Sequence, residues 1–294
     1  MSYLEIKNFT KKYGNFVAVD NLSLTVEDGE IYGFIGHNGA GKSTTIKAVV
    51  GATGFDEGEI RVDGISVKND PLGAKSVIAY VPDNPDIYDH LTGIQYLNFV
   101  CDVFKVGKEE RNERIKRYAA EFELTANLGD LIGSYSHGMK QKLVIISALV
   151  HNPKLLVLDE PFVGLDPIAS HKLKEIMRGV CEAGGAIFFS THVLEVAEKL
   201  CDRVGIIKKG RLVAEGTMKE IVGDKSLESI FLEIEGENGS AGSAFYGSSG
   251  AFSASGAAFG AANSEAGAAA SSHSESADFF DDDKTDNADK TRED

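Results

Sequence analysis

Gly36-His37-Asn38-Gly39-Ala40-Gly41-Lys42-Ser43-Thr44 follows an apolar run, Glu30 to Ile35, that reads as a strand, and precedes Thr45-Ile46-Lys47-Ala48-Val49-Val50, which reads as the opening of a helix. Strand, glycine loop and helix together form the context that a phosphate-binding loop requires. Glycines at 36, 39 and 41 permit backbone conformations closed to other residues, so successive amide N–H groups can turn toward one anion. A helix starting at Lys42 adds its unpaired N-terminal donors and positive dipole end. Lys42 supplies a charge for terminal phosphates, and the Ser43 hydroxyl is suited to ligate magnesium. A glycine turn could match by accident, but the flanking strand and helix make that rare.

The 294 residues, 43% of them hydrophobic, suffice for one large domain or two small ones. A net charge of −15 argues against a general nucleic-acid binder, which needs clustered lysine and arginine. Cys101, Cys181 and Cys201 are far apart and lack metal-ligand spacing, so reduced thiols in a cytosolic protein are expected. The start, Met1 to Lys7, alternates like a strand and does not read as a leader. No apolar run approaches the length needed to cross a bilayer, so a membrane role is expected to come through another polypeptide.

Residues 2 to 35 read as short strands and turns. Tyr13, before Gly14, is either a half-buried strand-end aromatic or a stacking platform for a base. Further strands are expected at Gly58 to Gly64 and at Val77 to Val81, the second stopped by Pro82. From Leu91 the period becomes helical. Thr92 and Gln95 form a capping box, Glu109 to Phe122 is a charged amphipathic helix, and a helical insertion is expected from about 90 to 150. Before the apolar helix Leu143 to Val150 stands Ser134-Tyr135-Ser136-His137-Gly138-Met139. Taken alone, Ser136 is a helix N-cap. Gly138 in a first turn hints that something approaches the backbone, and an anion at that helix start would explain both residues.

Leu155-Leu156-Val157-Leu158-Asp159-Glu160 is a strand expected to be covered on both faces, as in parallel sheets, whose ligands sit beyond the strands' carboxyl ends. Two acids there are costly unless a cation or a catalytic task holds them. A second buried strand, Ala186 to Ser190, ends in Thr191-His192, so His192 emerges at the same sheet edge. Gly164-Leu165-Asp166-Pro167 turns into a helix to about Glu182, and Val204 to Ile207 with Leu212 to Ala214 reads as a closing hairpin. Thr217 and Glu220 box a last short helix. Residues 236 to 294, mostly glycine, alanine and serine with eleven acids and three bases, are expected to form a disordered acidic tail.

These segments resemble ABC-transporter ATPases. Gly36 to Ser43 resembles the Walker A loop, Leu155 to Glu160 the Walker B strand, and Tyr135 to Met139 the signature motif. Gly164-Leu165-Asp166 is similar to the D-loop, His192 to the switch histidine, and Tyr13 to the adenine-stacking aromatic. Order and spacing match over roughly residues 2 to 222. His137 stands where a glycine is usual, and Asp83 where a glutamine is usual. Both variants resemble the branch that drives ABC-2-type export permeases.

The resemblance implies an α/β protein: a P-loop NTPase core with a mostly parallel sheet, an N-terminal antiparallel β subdomain and an inserted α-helical subdomain, together spanning residues 1–235. It implies ATP hydrolysis with Mg2+, by positioning and charge neutralisation. Lys42 and the amides of residues 36 to 44 would hold the phosphates, while Ser43 and Asp159, with Asp83 as a possible third contact, would hold the metal. Glu160 would polarise the attacking water and His192 would contact the γ-phosphate. Ser136 and Gly138 would reach the γ-phosphate of a second ATP-binding subunit, in a head-to-tail homo- or heterodimer beneath a membrane permease at the cytoplasmic face. No nucleic-acid partner is expected. The alternatives are a non-transport ATPase that remodels ribosomes or DNA, and a regulatory nucleotide sensor.

Overall fold

Five short runs of aliphatic and aromatic residues carry apolar side chains on both faces, and alternation along each run feeds two different cores. In the computed structural model, which describes residues 2–236, these runs are β3 (Ile31–Ile35), β6 (Ile78–Val81), β7 (Leu155–Asp159), β8 (Ala186–Thr191) and β9 (Arg203–Lys208). With β10 (Arg211–Thr217) they form a six-stranded sheet in the order β10-β9-β3-β8-β7-β6. All neighbours are parallel except β9 and β10, which form the expected closing hairpin.

On one face lie Ile35, Leu158, Ile187 and Phe189. They pack with helices α3 (Gly93–Val103), α4 (Lys108–Glu121), α5 (His137–Leu149) and α6 (Pro167–Glu182). On the other face lie Tyr32, Phe34, Val157 and Phe188, packed on the second sheet and on α1 (Lys42–Val49). That second sheet is antiparallel, in the order β2-β1-β4-β5, from β1 (Ser2–Tyr13), β2 (Phe16–Glu27), β4 (Glu57–Val62) and β5 (Ile65–Ser66). The mostly parallel core, the N-terminal antiparallel sheet and the helices inserted between β6 and β7 are the layers that the sequence resemblance implied.

Several elements differ from the expectations. The first 27 residues form two twelve-residue strands in place of short ones, because bulges absorb residues that break the alternation. Asn8 and Asn21, both at positive φ, face each other there, and the Asn8 amide donates to Asn21 Oδ1 at 2.9 Å. Helix α5 starts directly after Ser136, six residues ahead of its apolar stretch. Three further helices escape the sequence reading: α2 (Pro71–Val77), capped by Asp70, α7 (Leu194–Leu200), and α9 (Leu227–Gly236), which follows the expected short helix α8 (Met218–Val222). Both expected capping boxes form: Thr92 with Gln95, and Thr217 with Glu220. Apart from Gly236, the tail expected over 236–294 lies outside the described residues.

Candidate functional site

Strand β3 ends at Ile35, and the chain then turns through residues 36 to 41 into α1. At Gly36 a Cβ would stand 2.5 Å from the Ile207 carbonyl oxygen, so β9 walls the loop closely. Gly41 is the cap of α1 at φ 113, a conformation that L side chains rarely adopt. His37, Asn38 and Gly39 are exposed, whereas Ala40 and Lys42 are buried. Lys42 Nζ donates to the Gly36 carbonyl at 2.6 Å and to that of His37 at 3.3 Å. Its charge also lies 3.5 Å from Glu160 Oε1. Ser43 and Thr44, in the first turn of α1, are half-buried.

Parallel register brings the other residues to the same edge. Asp159 of β7 pairs with Ser190 of β8, one residue before Thr191, which pairs with Ile35 of β3. Ser190 Oγ donates to Asp159 Oδ1 at 2.5 Å and accepts from the Glu160 backbone N–H at 3.1 Å. That second bond helps to hold Glu160 at φ 50, a strained backbone for a side-chain-bearing residue. Beyond β8, His192 Nδ1 comes within 2.9 Å of Glu160 Oε2. Lys42, Ser43, Asp159, Glu160 and His192 are therefore gathered as expected. Ser190, whose hydroxyl supports both acids, was missed by the sequence reading. A polar residue ending the aliphatic run Ala186 to Phe189 was the available signal.

Burial pushes the Asp159 carboxyl above the usual carboxylate range. The Ser190 and Ser43 hydroxyls oppose that shift, while the charges of Asp83 and Glu160 reinforce it. Asp159 Oδ2 and Glu160 Oε1 are buried without a hydrogen-bond partner. Such oxygens, beside the Ser43 hydroxyl, are the donor chemistry that a hard cation takes. Asp83 is exposed, and its charge also adds to the rise that burial gives the Tyr80 phenol. Among the described residues no group of three or more His, Cys, Asp or Glu makes a protein-only metal cage.

Three expected residues lie elsewhere. Tyr13 is half exposed at the end of the β1–β2 hairpin, opposite Phe16, with Lys11 Nζ 5.0 Å from its ring centre. Ser136 caps α5 by accepting from the Met139 N–H at 3.3 Å. Neither Ser136 nor Gly138 is joined to the loop by a hydrogen bond or ion pair among the described residues. Within this chain, what approaches the Gly138 backbone is protein. A Cβ there would lie 2.9 Å from the Gly164 carbonyl oxygen, and the His137 ring occupies the space beside Gly164. The same two segments are tied by Lys142 Nζ to Asp166 Oδ2 at 2.7 Å, while Asp166 caps α6. The three cysteines are free and buried.

Comparison with known proteins agrees with this geometry. The model of the family described as "ABC transporter" matches residues 19–163. The chain is similar to the ABC-type transporter ATP-binding protein EcsA of Bacillus subtilis, 35% identical over 243 residues, covering 81% of this chain and 98% of EcsA. Among solved structures, it is similar to an ATP-binding subunit of an ABC transporter, with TM-score 0.77, 34% identity, and 79% and 99% of the two chains covered. It is also similar to the ATP-binding cassette MJ0796, solved as a dimer in a post-hydrolysis state with ADP and Pi, with TM-score 0.67, 25% identity, and 73% and 98% covered. The chain belongs to the ABC transporter ATP-binding proteins.

Proposed function

We propose that the chain hydrolyses ATP between Lys42, Asp159, Glu160 and His192, paired head to tail with a second ATP-binding subunit, and so powers export through a separate permease. The observation that carries this reading is the Glu160 carboxylate, approached by His192 on one oxygen at 2.9 Å and by Lys42 on the other at 3.5 Å. Loop amides and Lys42 grip the phosphates, Glu160 takes the proton of the attacking water, and His192 orients that carboxylate and meets the γ-phosphate. Ser43 and Asp159, with Asp83 contributing charge, would hold Mg2+, which supplies neutralisation of the phosphate oxygens. Tyr13 offers its exposed ring to the base.

The dimer accounts for Ser136 and Gly138, which stand at an exposed helix start with no tie to the loop of their own chain. That the similar cassette MJ0796 was solved as a dimer supports a paired state. A permease accounts for the exposed Tyr88, Phe99 and Val103, since such apolar clusters mark partner surfaces. Beside them a groove of about 340 Å³ is lined by Tyr80, Tyr96, Val100 and Phe104. No described helix is long and apolar enough to cross a membrane, so the reading places the chain on the cytoplasmic face, against its permease. Export follows the Asp83 and His137 variants. The reading assigns ATP binding to residues 1–235 and gives the tail no catalytic part. Purified protein should release phosphate from ATP and co-purify with an integral membrane subunit; recovery with ribosomes or DNA in its place would sink the transport reading.

A further inference from the structure

The C-terminal helix α9 reaches the phosphate loop. The ring of Phe231 meets His37 edge-on, with centroids 4.9 Å apart and planes at 63°. One turn further on, Glu235 Oε1 lies 3.7 Å from His37 Nε2. Lys208, at the end of β9, fixes that turn from below by donating to the Ile234 carbonyl at 2.5 Å and the Glu235 carbonyl at 3.4 Å. A cation at a helix C-terminus also suits the helix dipole. At the opposite end of α9, Glu198 of α7 accepts from the Leu227 N–H at 2.9 Å. The helix is thus anchored at both ends, with Ile230 and Phe231 buried between.

His37 is the residue through which this anchoring enters the site. Its carbonyl accepts from Lys42 Nζ and from the Ala40 N–H. In the exposed turn of His37, Asn38 and Gly39, His37 is the side chain that reaches another element among the described residues. A glycine-rich turn left free would have to be ordered when a phosphate binds, and prior restraint removes that cost.

We infer that Phe231 and Glu235 are positioning residues for ATP: they restrain His37, and through its carbonyl the Lys42 ammonium, so that α9 presets the phosphate loop. This inference rests on the nucleotide-binding reading of that loop. It makes the segment just before the low-complexity tail part of the nucleotide site, acting through His37.

The test is equilibrium binding of MgATP to the full chain, by calorimetry. Phe231→Ala and Glu235→Ala should each weaken binding roughly three- to tenfold, the scale of one lost ring or polar contact. Phe231→Tyr, which keeps the edge-on ring, should restore it, and Leu232→Ala on the exposed side of α9 should match wild type. In a His37→Ala background the Phe231→Ala loss should vanish, because the link is already cut. A loss of full size in that background, or none in either single variant, overturns the inference. If Phe231→Ala fails to fold, the same cycle with Glu235→Ala decides. Failure of the underlying reading looks different: wild type and Lys42→Ala would then bind MgATP equally poorly.

Discussion

His192 holds Glu160 by two contacts to one oxygen: Nδ1 at 2.9 Å, and its backbone N–H, which donates at 3.3 Å. The carboxylate is thereby aimed by the end of β8 even though it belongs to the turn after β7. Glu160→Gln keeps the shape and removes the basic oxygen. Turnover should fall by about 10²–10⁴-fold, the usual contribution of a positioned base, with ATP binding retained. Phosphate release and ATP retention on a desalting column measure the two; undiminished phosphate release would remove Glu160 from its assigned role.

Lys42 donates to loop carbonyls at 2.6 and 3.3 Å and is buried, so its charge is already at the place where phosphates arrive. Lys42→Ala deletes a charge-assisted hydrogen bond. ATP affinity should drop by roughly ten- to a hundredfold, measured by calorimetry. Equal affinity would mean that the phosphates sit elsewhere.

Ser190 is the hinge between the two acids. Ser190→Ala leaves a fully buried Asp159 oxygen without its donor and frees the strained Glu160 backbone. A stability loss of about 1–3 kcal/mol is expected by denaturant unfolding, together with slower turnover at saturating ATP. Unaltered turnover would confine Ser190 to the fold.

Gly164 stands at φ 80, and a Cβ on it would come within 2.6 Å of the His137 ring. Gly164→Ala should therefore force the signature segment aside and slow hydrolysis. Adding His137→Gly should recover part of the loss, because the ring is gone while the backbone strain, about 1 kcal/mol, persists. No recovery in the double variant would show that the ring is not what Gly164 accommodates.

His151 stacks on Phe104 with ring centres 3.7 Å apart, and its Nε2 lies 3.3 Å from the Ile78 carbonyl oxygen. Burial lowers its pKa below the ordinary 6.5. An imidazole harder to protonate in the folded state contributes stability above the unfolded pKa, and this is lost as pH falls below about 6.5 toward the folded value. Unfolding free energies at pH 7.5 and 5.5 should differ more for wild type than for His151→Phe. Equal slopes would place the acid sensitivity in other groups.

Much of this site was legible from spacing because it obeys local rules. The loop, Asp159 with Glu160, and His192 each close an apolar run, and parallel strands present their ends together. Gly138 was legible as a close approach but not as an approach by Gly164, since that contact joins residues far apart in the chain. Helix α2 is seven residues long, with a glycine in its first turn, and α9 runs into the low-complexity stretch. Helices that short stand by tertiary packing rather than by propensity. The reach of Phe231 to His37 spans nearly the whole described chain, so no periodicity could announce it.

Strand β8 lies between β3 and β7 in the sheet, although it is the last of the three to leave the ribosome. Until it slots in, the lysine and the acids have no common edge, and neither Ser190 nor His192 exists to aim them. A nascent chain therefore lacks the assembled site until β8 has been made and has paired with both of its neighbours.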